Sequence, residues 1–248
     1  MLRGWRFSGN GHRLNRVLIM KKSLLLLIFP TLLLCIGCNR QTEVKNLDSY
    51  FTEEKKTAAL KRLESLKNIT YKRNQNLSGM GQHYFVTEEI EEFYHHFYYQ
   101  DYDMDITSEE LYVGAENIDD AACYSVQIDS DGETRNDWYG ADAVQRHENR
   151  YNYIKSNIAL YIDDYQRSVR DYANRPGGKI KYYVVSSSKL IIDAKDTEGS
   201  YMHIEFQAST LFITQFKIKY YGNETLSLDY YYNITNTHKT PEDLGFTS

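Results

Sequence analysis

The sequence predicts an α+β domain: a curved antiparallel β-sheet, its C-terminal meander packed against a long amphipathic helix and an N-terminal helix. Three observations predict it. Five runs between Ile180 and Tyr232 alternate with period two, separated by turn residues and without a helical stretch between them. Between Val144 and Tyr172 the apolar residues recur mostly every three or four positions instead. Thr52-Glu53-Glu54 supplies an N-cap and an acidic first turn ahead of Ala59, Leu60, Leu63 and Leu66, again at helical spacing.

Taken in order, the chain opens with Met1 to Ile19, which is basic, contains glycine and lacks periodicity. It fits neither a signal nor a fold, and translation is expected to begin at Met20. Met20-Lys21-Lys22 is then followed by an apolar run from Leu24 to Leu34. A basic start, a short apolar run and a small-residue cleavage site make a secretory signal. The run is too short to cross a hydrocarbon core of ~30 Å as a helix. Its ending, Leu34-Cys35-Ile36-Gly37-Cys38, resembles a bacterial lipobox, where signal peptidase II cuts before a Cys carrying diacylglycerol. That resemblance implies acylation of Cys38 with palmitate-type chains and a lipid-anchored protein facing the extracytoplasmic side of the cell membrane. Cys35 stands where a lipobox prefers Leu.

The domain organisation follows. Residues 1–37 form the signal region, residues 38–50 the lipidated Cys and a polar tether, residues 51–235 a single α+β domain, and residues 236–248 a polar tail expected to be loose. The first 37 residues hold six basic side chains and no acidic one, so the remainder carries 23 basic against 34 acidic residues. A domain that acidic repels nucleic acid and anionic head groups, which excludes DNA and RNA as expected partners. Cys123 is the one thiol left after processing, and its place in an alternating strand marks it as a small core residue.

Within the domain, the first helix is expected from Thr52 to near Asn68, followed by a strand at Ile69–Arg73. Thr87 to Phe97 reads as a second helix, with Thr87 as cap and Glu88 and Glu89 in its first turn. Short strands are expected near Tyr99–Ile106 and Glu109–Val113. Ala122 to Ile128 alternates cleanly, and Asp131-Gly132 turns it into a hairpin with Glu133–Tyr139. The longest helix is predicted from Ala143 to Asn174, stopped by Arg175-Pro176-Gly177-Gly178. The β-meander follows.

Catalytic and metal motifs are not found. Asp129-Ser130-Asp131-Gly132 lacks the closing acidic ligand of a calcium loop and reads as a turn. His95 and His96 are adjacent and diverge on a helix, so no metal or cofactor is expected. Phosphate loops, nucleophile elbows and His-Glu-x-x-His sequences are missing. The 23 tyrosines are the unusual feature. Alternation places Tyr183, Tyr221 and Tyr231 on the sheet face opposite the core, against the long helix or as a ligand platform.

The helix-to-strand run Ala59–Lys72 and the closing strands His203–Phe206, Phe216–Tyr221 and Leu226–Tyr232 resemble the LolA/LppX-like lipoproteins. In that family a curved sheet wraps around helices and forms a half-barrel for acyl chains. The resemblance implies a lipid-like ligand. The long helix followed by a meander is equally similar to a cystatin/NTF2-like cone. The functional expectation is a non-enzymatic, membrane-anchored lipoprotein that binds a lipid-like or apolar ligand. The alternatives are a solid-cored domain docking another envelope protein, and a carbohydrate-binding surface of tyrosines. Labelled palmitate should enter the wild-type chain and not Cys38→Ser; equal labelling of the two would remove the anchor.

Overall fold

The computed structural model describes residues 41–77, 81–220 and 224–247. The expected signal region, Cys38 and Tyr221 lie outside them. Residues 42–248 form one compact unit.

Strand β1 (Gln41–Val44) and helix α1 (Glu53–Glu64) come first. A meander of six strands follows: β2 (Asn68–Leu77), β3 (Gln82–Glu91), β4 (Tyr94–Asp101), β5 (Ile106–Val113), β6 (Ala122–Asp129) and β7 (Gly132–Tyr139). The long helix α2 (Gly140–Asp163) and a short α3 (Arg170–Ala173) lead to a second meander. It contains β8 (Lys179–Val185), β9 (Lys189–Lys195), β10 (Tyr201–Gln207), β11 (Ile213–Lys219) and β12 (Thr225–Tyr232). The predicted α+β class holds: all twelve strands share one open antiparallel sheet in the order β1-β8-β9-β10-β11-β12-β2-β3-β4-β5-β6-β7. The two meanders meet where β12 pairs with β2, placing Tyr230 opposite Tyr71 and Leu228 opposite Arg73.

Period two then decides what faces the helix. Ile192, Ile204, Phe216 and Leu228 stand opposite one another across β9 to β12. They pack in the same core as Ile154, Ile158 and Ile162, one apolar stripe of α2. Each such side chain contributes about 1.5–3 kcal/mol by leaving water. On the other half, Tyr71, Glu88, Phe97 and Glu110 face one another in register across β2 to β5. The neighbouring rung runs Ile69, Ile90, His95, Tyr112, Cys123 and Trp138. The inner face is therefore apolar on one side of the β12–β2 seam and studded with charge on the other.

Several expectations are corrected. Thr87 to Phe97 is a β-hairpin, not a helix, because Val86, Glu88 and Ile90 are all buried with period two. Its turn is pinned by Gly114, whose N–H donates to the Phe93 carbonyl at 2.8 Å. A Cβ on Gly114 would lie 2.9 Å from the Phe93 Cα, so the position needs glycine. The long helix stops at Asp163 rather than Asn174. There the chain turns so that the Tyr165 hydroxyl donates to Asp48 and accepts from the Leu47 N–H at 3.3 Å.

The described part of the expected tether belongs to the fold. β1 lies beside β8 at the sheet edge, Leu47 is fully buried, and Phe51 stacks on Tyr165 at 4.5 Å. The tail after Ile234 is likewise packed. His238 stacks on Tyr94 at 4.1 Å, and a capping box at Thr240 opens a 3-10 turn over Pro241–Leu244. Leu244 is buried against Tyr94 and Leu111 on the outer face, and Phe246 packs on Tyr124 at 4.9 Å. Two apolar residues in a polar segment give little periodic signal, yet they cover the outward apolar residues of β4 to β6.

Thr52 caps α1 as predicted, accepting from the Lys55 N–H at 3.4 Å, though the helix ends at Glu64 rather than near Asn68. Urea unfolding checks the corrected N-terminal boundary. Leu47→Ala should cost about 2–5 kcal/mol, as much as Ile158→Ala. Ile128→Ala, at an exposed site, should stay within about 0.5 kcal/mol.

Candidate ligand-binding cleft

Between α2 and the charged half of the inner face lie two cavities of about 420 and 250 Å³, and Arg150 and Tyr153 belong to the walls of both. The larger is bounded by His95, Phe97, Glu110 and Arg146. The smaller is bounded by Tyr71, Arg73, Glu88, Asn157, Tyr161 and Tyr230. The strands supply one wall through inward-facing positions, and successive turns of α2 (Arg146, Arg150, Ile154) supply the other.

Glu88 is fully buried, and its carboxylate organises the cleft. Arg150 grips it through Nε at 2.5 Å and Nη2 at 2.7 Å, a two-pronged charge-assisted contact. His95 Nε2 lies 3.0 Å from the same carboxylate. Burial alone would raise the pKa of Glu88, but the hydrogen bonds from His95 and Arg150 outweigh it and hold the group below the ordinary carboxylate value. Glu88 is thus a fixed anion. Beside it, Arg146 donates to Glu110 at 2.8 Å and lies 3.8 Å from the Trp138 ring centroid.

His95, in the wall of the larger cavity, neighbours a second histidine. His147 stacks face to face on Tyr112, with ring centroids 4.3 Å apart, and its ring centroid is 6.0 Å from that of His95. Among the described residues the Nδ1 atoms of both histidines are buried without a protein partner. Burial, and then the neighbouring His95, pushes the His147 pKa down to about 4, so it is neutral near pH 7. Burial and then Glu110 push the Cys123 thiol up to about 12, the opposite of what a nucleophile requires. Among the described residues no group of three or more His, Cys, Asp and Glu side chains is placed to hold a metal ion.

Of the tyrosines expected to form a platform, Tyr183 and Tyr231 do not come together. Tyr183 on β8 and Tyr231 on β12 share the outer face but are four strand spacings apart, about 19 Å. Tyr231 is exposed, with the Lys72 ammonium 5.8 Å from its ring, and Tyr183 is half-buried. Tyr221 and Cys38 lie outside the described residues. His95 and His96 point to opposite faces of β4, His95 to Glu88 and His96 to Glu109 at 2.6 Å. Sequence reading missed Glu88, Arg150 and Arg73. The available signal was a charged residue at the inward position between Val86 and Ile90, visible once that segment is read with period two.

Compared with known proteins, the chain matches no protein-family model and no curated protein. The chemistry of the cleft is read from its geometry.

The ion pair has a measurable signature. Arg150→Met strands the buried Glu88 carboxylate and should cost about 3–5 kcal/mol in urea unfolding, with Glu88→Gln added to it recovering part of the loss. Acid has a defined direction too. His147 has a folded pKa near 4, against 6.5 ordinarily, so the unfolded chain takes up the proton first. The His147 contribution to stability, fully present above pH 6.5, should fall by about 3 kcal/mol as the pH drops towards 4. His147→Phe should flatten that slope, and Glu88 adds a further loss below its ordinary value.

Proposed function

We propose that this is a non-enzymatic, lipid-anchored extracytoplasmic protein that holds a small amphipathic ligand in the cleft between α2 and β2 to β5. The observation that carries the reading is the half-exposed Arg150 gripping buried Glu88 beside buried His95, at the back of a cleft walled by Tyr71, Tyr153, Tyr161 and Tyr230. Tyrosine rings give apolar contact area with a hydrogen-bonding tip, while the locked charges give orientation. The same locking argues for binding over catalysis. A general base needs a pKa near the working pH, whereas Glu88 is held low and the Cys123 thiol high. The polar wall narrows the lipid-like ligand of the sequence reading. A ligand with a ring or short aliphatic body and a polar group suits it better than a bare acyl chain. Anchorage at Cys38 comes from the lipobox resemblance and is part of the same proposal.

Exposed Phe93, at the tip of the β3–β4 hairpin, favours a second reading. Together with exposed Val113 and Ile118 it gives apolar surface for docking an envelope protein.

Native mass spectrometry of residues 39–248, purified without detergent, separates the two. The expected result is a small-molecule mass that denaturation removes and that Asn157→Trp, which fills the smaller cavity, prevents. A bare protein mass in both would sink the binding reading and leave the docking one.

A further inference from the structure

We infer that the ligand of this cleft carries a carboxylate and that Arg73 is the group that receives it. The inference rests on the binding reading above and names its ligand class.

Three arginines border the cavities, Arg73 from β2 and Arg146 and Arg150 from α2, and the two on the helix have counter-charges. Arg146 is paired with Glu110, and Arg150 with Glu88. Arg73 is not: among the described residues no carboxylate lies within ion-pair distance of it. Its Nη2 donates to the Gln75 side chain, its guanidinium lies 5.0 Å from the Tyr84 ring centroid, and its Nε is buried with no acceptor among the described residues. Arg73 nevertheless forms part of the wall of the 250 Å³ cavity.

Arg73 is half-buried, and a guanidinium partly drawn out of water without an anion is costly; an amide oxygen and a ring face offset only part of that cost. Gln75 holds it in place. That side chain is itself buried, and its oxygen also accepts from the Tyr84 hydroxyl at 2.9 Å. The wall therefore keeps a positioned cation with donor capacity to spare. Glu88 faces the same cavity, but Arg150 and His95 already engage its oxygens, so Arg73 leaves the site with a net positive charge.

A carboxylate matches a planar guanidinium in charge and geometry. The rest of the wall describes the rest of the ligand. Tyr71, Tyr161, Tyr230 and Leu228 offer ring and aliphatic surface, and Asn157 offers an amide. The class is a small organic carboxylate with a ring or short aliphatic body.

Benzoate and its neutral isostere benzamide test this, with scanning calorimetry of the intact lipidated protein in a mild nonionic detergent at constant ionic strength. Benzoate should raise the Tm in a concentration-dependent manner, with benzamide at least about tenfold weaker. Arg73→Gln should abolish the difference, and Arg73→Lys, which keeps the charge and guards against a folding defect in the first variant, should retain part of it. Arg167→Gln, at an exposed arginine, should change nothing. Absence of a benzoate shift, equal effects of the two probes, or an undiminished benzoate effect in Arg73→Gln would overturn the inference. A co-purifying mass separates this failure from that of the binding reading. If Asn157→Trp loses it while Arg73→Gln keeps it, only the carboxylate assignment falls; if both keep it, the binding reading falls as well.

Discussion

The pairing of β12 with β2 is the constraint on which the rest of the molecule depends. It joins residues 225–232 to residues 69–76 in a continuous antiparallel register. Without it the chain would be two separate meanders, each with an unpaired strand in the middle of the future sheet. The pairing closes a loop of more than a hundred residues, so it is entropically expensive and slow to find. What offsets that cost is the shared core. Residues of α1, α2 and both meanders meet in one cluster, with Ile69 from one side and Phe216 and Tyr230 from the other.

The same seam divides the labour of the inner face. Toward β8 the sheet meets α2 through Ile, Leu and Phe, and this half carries much of the stability. Toward β5 it meets the same helix through Glu88, His95, Glu110 and Arg73, with Arg146 and Arg150 descending from above. One helix thus serves as a wedge at one end and as the wall of a cleft at the other. Ile154, one turn beyond Arg150, is buried in the apolar core and also borders the smaller cavity. A rigid packed half beside a half with open volume is a sound basis for a preorganised site.

Much of this was legible in the sequence, for reasons that differ by element. The closing meander is plain because five short alternating runs with turns between them have few other solutions. Helix α1 is plain because Thr52, its acidic first turn and its stripe agree. Thr87–Phe97 misleads because Thr-Glu-Glu is a good helix start locally, while the outcome was set by cross-strand partners on β2 and β5. The cleft was hidden for a deeper reason. Glu88 and Arg150 are 62 residues apart and nothing local marks them as partners. Leu47, Leu244 and Phe246 escaped notice in the same way, as isolated apolar residues whose partners are distant in the chain.

Among the described residues the open sheet of twelve strands has two free edges, and each is made unattractive to a neighbour. β1 is four residues long, which offers little backbone for another strand to join. β7 is longer, but it alternates Glu133, Arg135 and Asp137 along a solvent-exposed ribbon. A strand arriving there would have to desolvate those charges and find complements for them. Edge-to-edge growth into ribbons or fibres is therefore discouraged at both ends. The sheet guards both edges in this way without closing into a barrel.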